Sequence, residues 1–322
     1  MARRPARSAL GPQVIAHRGA SGHRPEHTLA AYELGWRLGA DSVELDVLAT
    51  RDGAVVCLHD VELSSTTDVG QHPEFAHLRT TAVVDGKPQT GWFVHDFTLA
   101  ELKQLTVKER WPRKRSGNVE YDGRFTVPTL AEVIELRDAE AARAGRRLGI
   151  HVELKSPAHL RLHDLWLPEL VGDLVDHPRV PDLSWLSFDA AALIDLRAHR
   201  SIQLLDKKPS SRDLSRIARY ASGIGVRRKV ILPRDAAGRV GEESAIVAKA
   251  HRRGLDVLVW THRVENQHLP TNLRIGHEPH QHGDGIGEAA LLFRAGIDGL
   301  ISDFPEVAVS GRDRLPSLQL AR

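Results

Sequence analysis

A chain of 322 residues, 41% of them hydrophobic, is long enough for one large domain or two small ones and has the apolar side chains for a full core. Its 44 Lys and Arg against 42 Asp and Glu give a net charge of +2, which excludes a broad basic field for nucleic acid or an anionic membrane surface. No run of ~18 apolar residues is available to span a membrane, and the lone Cys57, between Val56 and Leu58, reads as a buried thiol with no partner for an intrachain disulfide.

Residues 1–12 read as a tail. Two arginines adjoin at Arg3-Arg4, but no apolar stretch of ~7–15 residues follows, so the sequence as written reads as cytoplasmic, or periplasmic or secreted if a leader is missing. Short β-branched runs then alternate with amphipathic segments: Val14-Ile15-Ala16, Thr28 to Leu38, and Ser42 to Val47. That rhythm is β, α, β with strands buried on both faces. Between Asp46 and His59 no helix fits, and Asp52-Gly53 signals a tight hairpin, so the chain is expected to descend as an antiparallel arm and climb back through Val55–Leu58.

From Val61 to Tyr121 the composition turns to Gly, Thr, Gln, Pro and charge, with one helix-like stretch at Thr98–Leu105 and a basic run at Arg110–Arg115, of which Arg113-Lys114-Arg115 reads as a solvated face. We take 61–127 as an insertion, not a linker. Further strands are expected near Gly149–Leu154, Trp185–Phe188, Ile202–Leu205, Gly223–Val226, Leu255–Trp260 and Gly299–Ile301, the piece at Gly223 being irregular. Helices are expected near Leu130–Ala144, Asp164–Val175, Ala190–Ala198, Arg212–Ala221, Glu242–Arg253 and Gly287–Ala295. About eight parallel strands point to a (β/α)8 TIM barrel over residues 13–309, with the insertion between its third strand and the following helix and a tail at 310–322.

The chemistry gathers at strand ends, where such a barrel builds its site. His17-Arg18-Gly19 follows the first strand, and offers an imidazole, a guanidinium fork and a flexible turn; a charged surface loop has the same composition. Glu44 and Asp46, two apart on a strand, face one side, where a cation, or an ion pair with Arg18, would compensate them. His59-Asp60 ends the next strand, and alternation in His151-Val152-Glu153-Leu154-Lys155 puts Glu153 and Lys155 on one face. Oxygen ligands suit Mg²⁺ or Ca²⁺, and two imidazoles, one neutral and one protonated, suit proton transfer at a phosphoryl centre. The insert from Asn266 to Gly287 carries His268, His277, His280 and His282, but its glycines favour a solvated loop over a zinc site.

The stretch Ile15-Ala16-His17-Arg18-Gly19 through Pro25-Glu26-His27-Thr28, with Val43–Val47, Leu58-His59-Asp60, Val152–Lys155, Val259-Trp260-Thr261 and Gly296 to Pro305, resembles the glycerophosphodiester phosphodiesterase family, over about Val14 to Val309. The resemblance implies hydrolysis of glycerophosphodiesters to sn-glycerol 3-phosphate and an alcohol. It implies His17 and His59 as the acid/base pair, Glu44, Asp46 and Glu153 as ligands of one divalent cation, and Arg18 with Lys155 as a phosphate clamp. Trp260 would wall the glycerol, or serve as a core aromatic; Glu26 would brace the first loop. The long segment after Thr66 is similar to that of larger, periplasmic-type members. His27 departs from the family's Asn, which bears on the loop's hydrogen bonding. The implied partner is a small glycerophosphodiester, with no nucleic acid and no stable membrane insertion. A lysophospholipase-D or sphingomyelinase-D-like activity, or a phosphate-binding barrel without catalysis, is the alternative.

Overall fold

The computed structural model describes residues 11–172, 183–196 and 199–315. In chain order the elements are β1 (Gln13–His17), α1 (Leu29–Arg37), β2 (Ser42–Ala49), β3 (Val55–Cys57), β4 (Thr80–Val84), β5 (Lys87–Gly91), α2 (Leu99–Leu102), α3 (Leu130–Ala144), β6 (Gly149–Leu154), α4 (Pro157–Arg161), α5 (Leu167–Leu170) and β7 (Leu183–Ser187). They continue as α6 (Ala190–Asp195), β8 (Ser201–Leu205), α7 (Ser211–Ile217), β9 (Gly223–Arg227), α8 (Arg228–Ile231), α9 (Ile246–His251), β10 (Asp256–His262), α10 (Gly285–Arg294), β11 (Gly299–Ser302) and α11 (Pro305–Arg312). The ends of two expected helices, at 173–175 and 197–198, lie outside the described residues, as do 1–10 and 316–322.

The strands form one sheet in the order β1-β11-β10-β9-β8-β7-β6-β2-β3, and β1 also pairs with β2. Eight parallel strands therefore close into a (β/α)8 barrel, and β3 is an appended ninth strand, antiparallel to β2 with Val47 opposite Cys57. Two-sided burial accounts for the unbroken apolar runs: every residue of β2 and of β6 is buried, including their carboxylates. Among the described residues no helix is long and apolar enough to cross a membrane.

By compactness the chain divides into two units, Met1–His17 with Gly35–Val43 and Ser184–Arg322, and Arg18–Leu34 with Glu44–Leu183. In the first, Ile15, Leu186, Ile202, Leu204, Leu258 and Ile301 form a buried cluster with Trp260 packed against it. Each such side chain contributes about 1.5–3 kcal/mol through burial. The strand at Gly223 is regular, contrary to the expectation, pairing with both β8 and β10. Its glycines make room instead of bending it: a Cβ on Gly225 would lie 2.4 Å from Leu204 Cδ2, and one on Gly223 2.7 Å from Ile202 Cδ1.

In the second unit, the segment between β3 and α3 holds 3-10 turns, α2 and the β4–β5 hairpin, which turns at Asp85-Gly86 with φ of 49° and 78°. The helix α3 starts and stops where its sequence dictates. Thr129 and Glu132 form a reciprocal capping box, and Gly145 ends the helix in the left-handed conformation at φ 61°.

Candidate active site

Within the unit that includes 18–34 and 44–183, β1 hands over to a turn at Arg18 and Gly19, both left-handed, with φ of 55° and 80°. Only glycine fits the second place, because a Cβ there would sit 2.4 Å from the main-chain carbonyl carbon of Ala31. The turn aims Arg18 at three carboxylates. Its main-chain N–H donates to Glu44 Oε2 at 3.0 Å, its Nη1 to Glu26 Oε1 at 2.9 Å, and its Nε lies 3.1 Å from Asp46 Oδ2. The cation and ion-pair readings of Glu44 and Asp46 are thus compatible.

Glu44, Asp46 and Glu153 are buried, and each offers an oxygen, all within 4.8 Å of one another. Strand alternation makes this possible, since residues 44 and 46 of β2 face the same side and β6 brings 153 beside them. Lys155 Nζ donates to Glu153 Oε1 at 2.8 Å and stands 3.8 Å from Asp46 Oδ1. Burial, then repulsion from Asp46 and Glu153, raises the Glu44 carboxyl well above its usual range. Burial likewise lifts Glu153 to about 7, against the opposing Lys155 charge. Burial works the same way on Asp46, but the Lys155 and Arg18 cations outweigh it and hold this carboxyl well below the ordinary range.

That electrostatic picture is what a hard dication would resolve. Asp46 Oδ1 is buried and accepts no hydrogen bond, and three crowded carboxylates with oxygen donors only are the donor set of Mg²⁺ or Ca²⁺. The residues therefore fit a divalent cation.

His27 is the fourth member of this cluster, and the sequence did not reveal it as such. Its backbone is left-handed at φ 57° and its ring is 2% exposed. Nε2 lies 2.9 Å from Asp46 Oδ2 and Nδ1 2.7 Å from the Tyr32 hydroxyl. Because Asp46 is ionised and only accepts, Nε2–H is the donor, and Nδ1 accepts from Tyr32. Burial pushes the His27 pKa down, consistent with this neutral tautomer.

His59 follows β3 and pairs through Nδ1 with Asp60 Oδ1 at 2.5 Å, its side chain 31% exposed. Desolvation, then the Arg18 charge, lowers its pKa to about 4, despite the neighbouring Asp46 and Asp60. The ring is neutral at pH 7. Asp60 in turn accepts from Arg110 Nη1, whose Nε and Nη2 reach Glu26 at 2.9 and 2.7 Å. Arg18, Glu26, Arg110, Asp60 and His59 are therefore linked in series. Burial raises the Glu26 carboxyl, and the Arg18 and Arg110 charges overcome that and set it far below the usual range.

The face expected to be solvated at 113–115 is only partly so, with Arg113 exposed and Arg115 buried. Arg110 is 14% exposed in this network, and Arg115 is buried with Nη1 donating to the Ser21 carbonyl at 2.9 Å, beside Asn118 Nδ2 at 3.1 Å. The insertion thereby grips the first loop at two points. A basic cluster reads as solvated when its acidic partners are distant in sequence; Glu26 is 84 positions away.

In the other unit, His17 donates from Nδ1 to Asp303 Oδ1 at 2.5 Å, and Arg263 Nε donates to Asp303 Oδ2 at 2.9 Å. Asp303 is fully buried and follows β11. It was legible only as part of the Ser302-Asp303-Phe304-Pro305 stretch. Trp260, on β10, is half-buried, edge-on to Phe188 at 5.6 Å, with the Arg227 guanidinium 4.9 Å from its ring centre. The loop of 266–287 is pinned by buried Asn266, which donates to the carbonyls of Ile275 and Glu278. Its His277, His280 and His282 are exposed and belong to no metal-competent cluster among the described residues.

Residues 17–307 match the Glycerophosphoryl diester phosphodiesterase family. A glycerophosphodiester phosphodiesterase of Arabidopsis thaliana is 33% identical across 91% of this chain and 84% of its own length. The solved structure of an Oleispira antarctica phosphodiesterase in complex with the product sn-glycerol-3-phosphate is similar at 26% identity and a TM-score of 0.65, covering 94% of this chain and 97% of its own. A structure from Silicibacter pomeroyi, at 23% identity, shares the fold with a TM-score of 0.69 over 96% of this chain and 95% of that one. With its barrel, its carboxylate cluster and a family match running from His17 into the first turn of α11, the chain belongs to the glycerophosphoryl diester phosphodiesterase family.

Proposed function

We propose that this phosphodiesterase works through His17 and His59 as proton-transfer groups, with Glu44, Asp46 and Glu153 as ligands of one Mg²⁺ or Ca²⁺ ion and Arg18 and Lys155 as the phosphate clamp. The observation that carries the reading is the buried trio of carboxylates flanked by those two cations. A dication bound there would polarise the phosphoryl group and keep all three carboxylates ionised. Arg18 and Lys155 would share the remaining phosphate charge.

Neutral His59, oriented by Asp60, takes the proton of the attacking hydroxyl. His17, oriented by Asp303 through Nδ1, presents Nε2 and delivers a proton to the departing alkoxide, while the carboxylate balances the charge of the imidazolium. Trp260 and Phe188 offer an apolar wall for the glycerol carbons. The substrate is a small glycerophosphodiester.

The test is release of glycerol 3-phosphate from glycerophosphocholine, with lysophosphatidylcholine and sphingomyelin as competing substrates. EDTA should abolish release and one of Mg²⁺ or Ca²⁺ restore it. His17→Ala and His59→Ala should each lose about 10²-fold or more in kcat. Full turnover in EDTA removes the cation from the reaction, and an unchanged rate in either variant removes that histidine.

A further inference from the structure

A second cluster of ligating side chains lies apart from the carboxylates, within the same compact unit. His95 sits in a 3-10 turn, Val94–Asp96, of the segment between β3 and α3. His159 lies in α4 and His163 two residues beyond it, one helical turn further on, so both project from one side. The three rings meet: centroids are 3.8 Å apart for His95 and His163, 5.0 Å for His95 and His159, and 5.1 Å for His159 and His163. One nitrogen from each lies within 4.8 Å of the other two.

Three packed imidazoles alone would be an ordinary aromatic contact if their nitrogens were satisfied. Here His95 is 5% exposed and His159 7%, yet His95 Nδ1 and His159 Nε2 are buried with no hydrogen-bond partner. Two buried lone pairs or N–H groups left bare in one small cluster are unfavourable, and a shared cation would satisfy both. Two carboxylates stand near the cluster. Asp96 and Asp85 act electrostatically on these rings, and Ser156, which starts α4, donates to Asp85 Oδ2 at 3.1 Å. His163 is exposed, so the fourth direction opens to solvent.

We propose that His95, His159 and His163 form a second metal site, selective for a borderline transition-metal dication of the Zn²⁺ type. An all-imidazole donor set prefers Zn²⁺, Co²⁺ or Ni²⁺ to Mg²⁺ and Ca²⁺, which take oxygen. Three ligands from protein and a fourth from water complete a tetrahedron, whose ~2.0–2.1 Å bonds require the three nitrogens, now within 4.8 Å of one another, to close to about 3.4 Å. The ion staples the 3-10 turn of the long insertion to the helix that follows β6, where the Ser156–Asp85 bond already holds the tip of the β4–β5 hairpin. It has no part in the proton transfers.

The experiment uses the full chain in excess Mg²⁺, which occupies the oxygen ligands and competes poorly for nitrogen. After dialysis against Co²⁺ or Zn²⁺, one equivalent per chain should be retained, and the Co²⁺ form should show the visible bands of low-coordinate cobalt. His95→Ala and His163→Ala should each weaken retention at least tenfold, whereas Glu44→Gln should keep it. Zn²⁺ should raise the thermal midpoint of the wild type and leave that of His163→Ala unmoved; His163 is exposed, so this variant keeps the fold. No retained ion, or an ion lost in Glu44→Gln and kept in both histidine variants, overturns the proposal without touching the carboxylate reading.

Discussion

His27 occupies a place where the family resemblance expected Asn, and its ring spans from the Tyr32 hydroxyl to Asp46. A short amide at this backbone could not reach both partners, so the substitution shifts the support of Asp46 onto an imidazole. Groups that hold a ligand in place typically change metal affinity 10–100-fold when removed. We expect His27→Ala to weaken Mg²⁺ binding by about that factor, seen by calorimetry, with the fold intact by circular dichroism. Affinity equal to wild type would mean Asp46 needs no such support. His59 is a residue whose chemistry shows in titration. Its folded pKa near 4 lies below the unfolded value of 6.5. Its contribution to stability is therefore complete above pH 6.5 and lost as pH falls toward 4. In NMR its ring signals should stay near the neutral position well below pH 6 and shift with a midpoint near 4, and a midpoint near 6.5 would show that neither burial nor the Arg18 charge depresses it.

At the scale of elements, the insertion serves the site through Arg110, which joins Glu26 to Asp60. Arg110→Ala leaves Asp60 without this cation and Glu26 dependent on Arg18 alone. Breaking such a mostly buried pair costs on the order of 3 kcal/mol. Urea unfolding should show that loss, with Arg110→Lys recovering little, since a single ammonium cannot replace the fork. The segment was readable as an insertion, but not as a wall of the site. Asp52-Gly53 was recognised as a hairpin turn and β2 and β3 are antiparallel around it. The same dipeptide at Asp85-Gly86 makes the β4–β5 turn without a comparable sequence signal, because its strands are mostly exposed and lack the alternation that marks a half-buried ribbon. The reciprocally capped α3 was legible to the residue, whereas α2 and α7, capped in the same way, are shorter than their sequences suggest. The short α4, whose N-cap Ser156 is left-handed at φ 41°, carried no such signal.

For the whole molecule, the barrel was legible because its strands are buried on both faces, and the local carboxylate pair because strand period is fixed. What was not legible are contacts that join distant positions: Arg110 to Glu26, and Asp303 to His17. The carboxylate trio also couples stability to pH. Glu153 near 7 and the raised Glu44 bind protons more tightly folded than unfolded. Without a cation, the Glu153 contribution is present below about pH 4.5 and lost as pH rises through about 7, and that of the raised Glu44 is lost in the same direction. Stripping the ion with EDTA should therefore lower the thermal midpoint more at pH 8 than at pH 5. An equal drop at both would show that the carboxylates are not what the ion neutralises.

The spread of the cation-binding set along the chain has a consequence for biosynthesis. A ribosome delivers Glu44 and Asp46 together with Arg18, but Glu153 and Lys155 emerge only after the entire insertion has been made. Until then the growing chain holds two strand carboxylates with part of their neutralising company absent. The first half-barrel thus has no finished rim to close around, and although β1, β2 and β3 can already pair, translation must pass β6 before β2 gains that barrel neighbour.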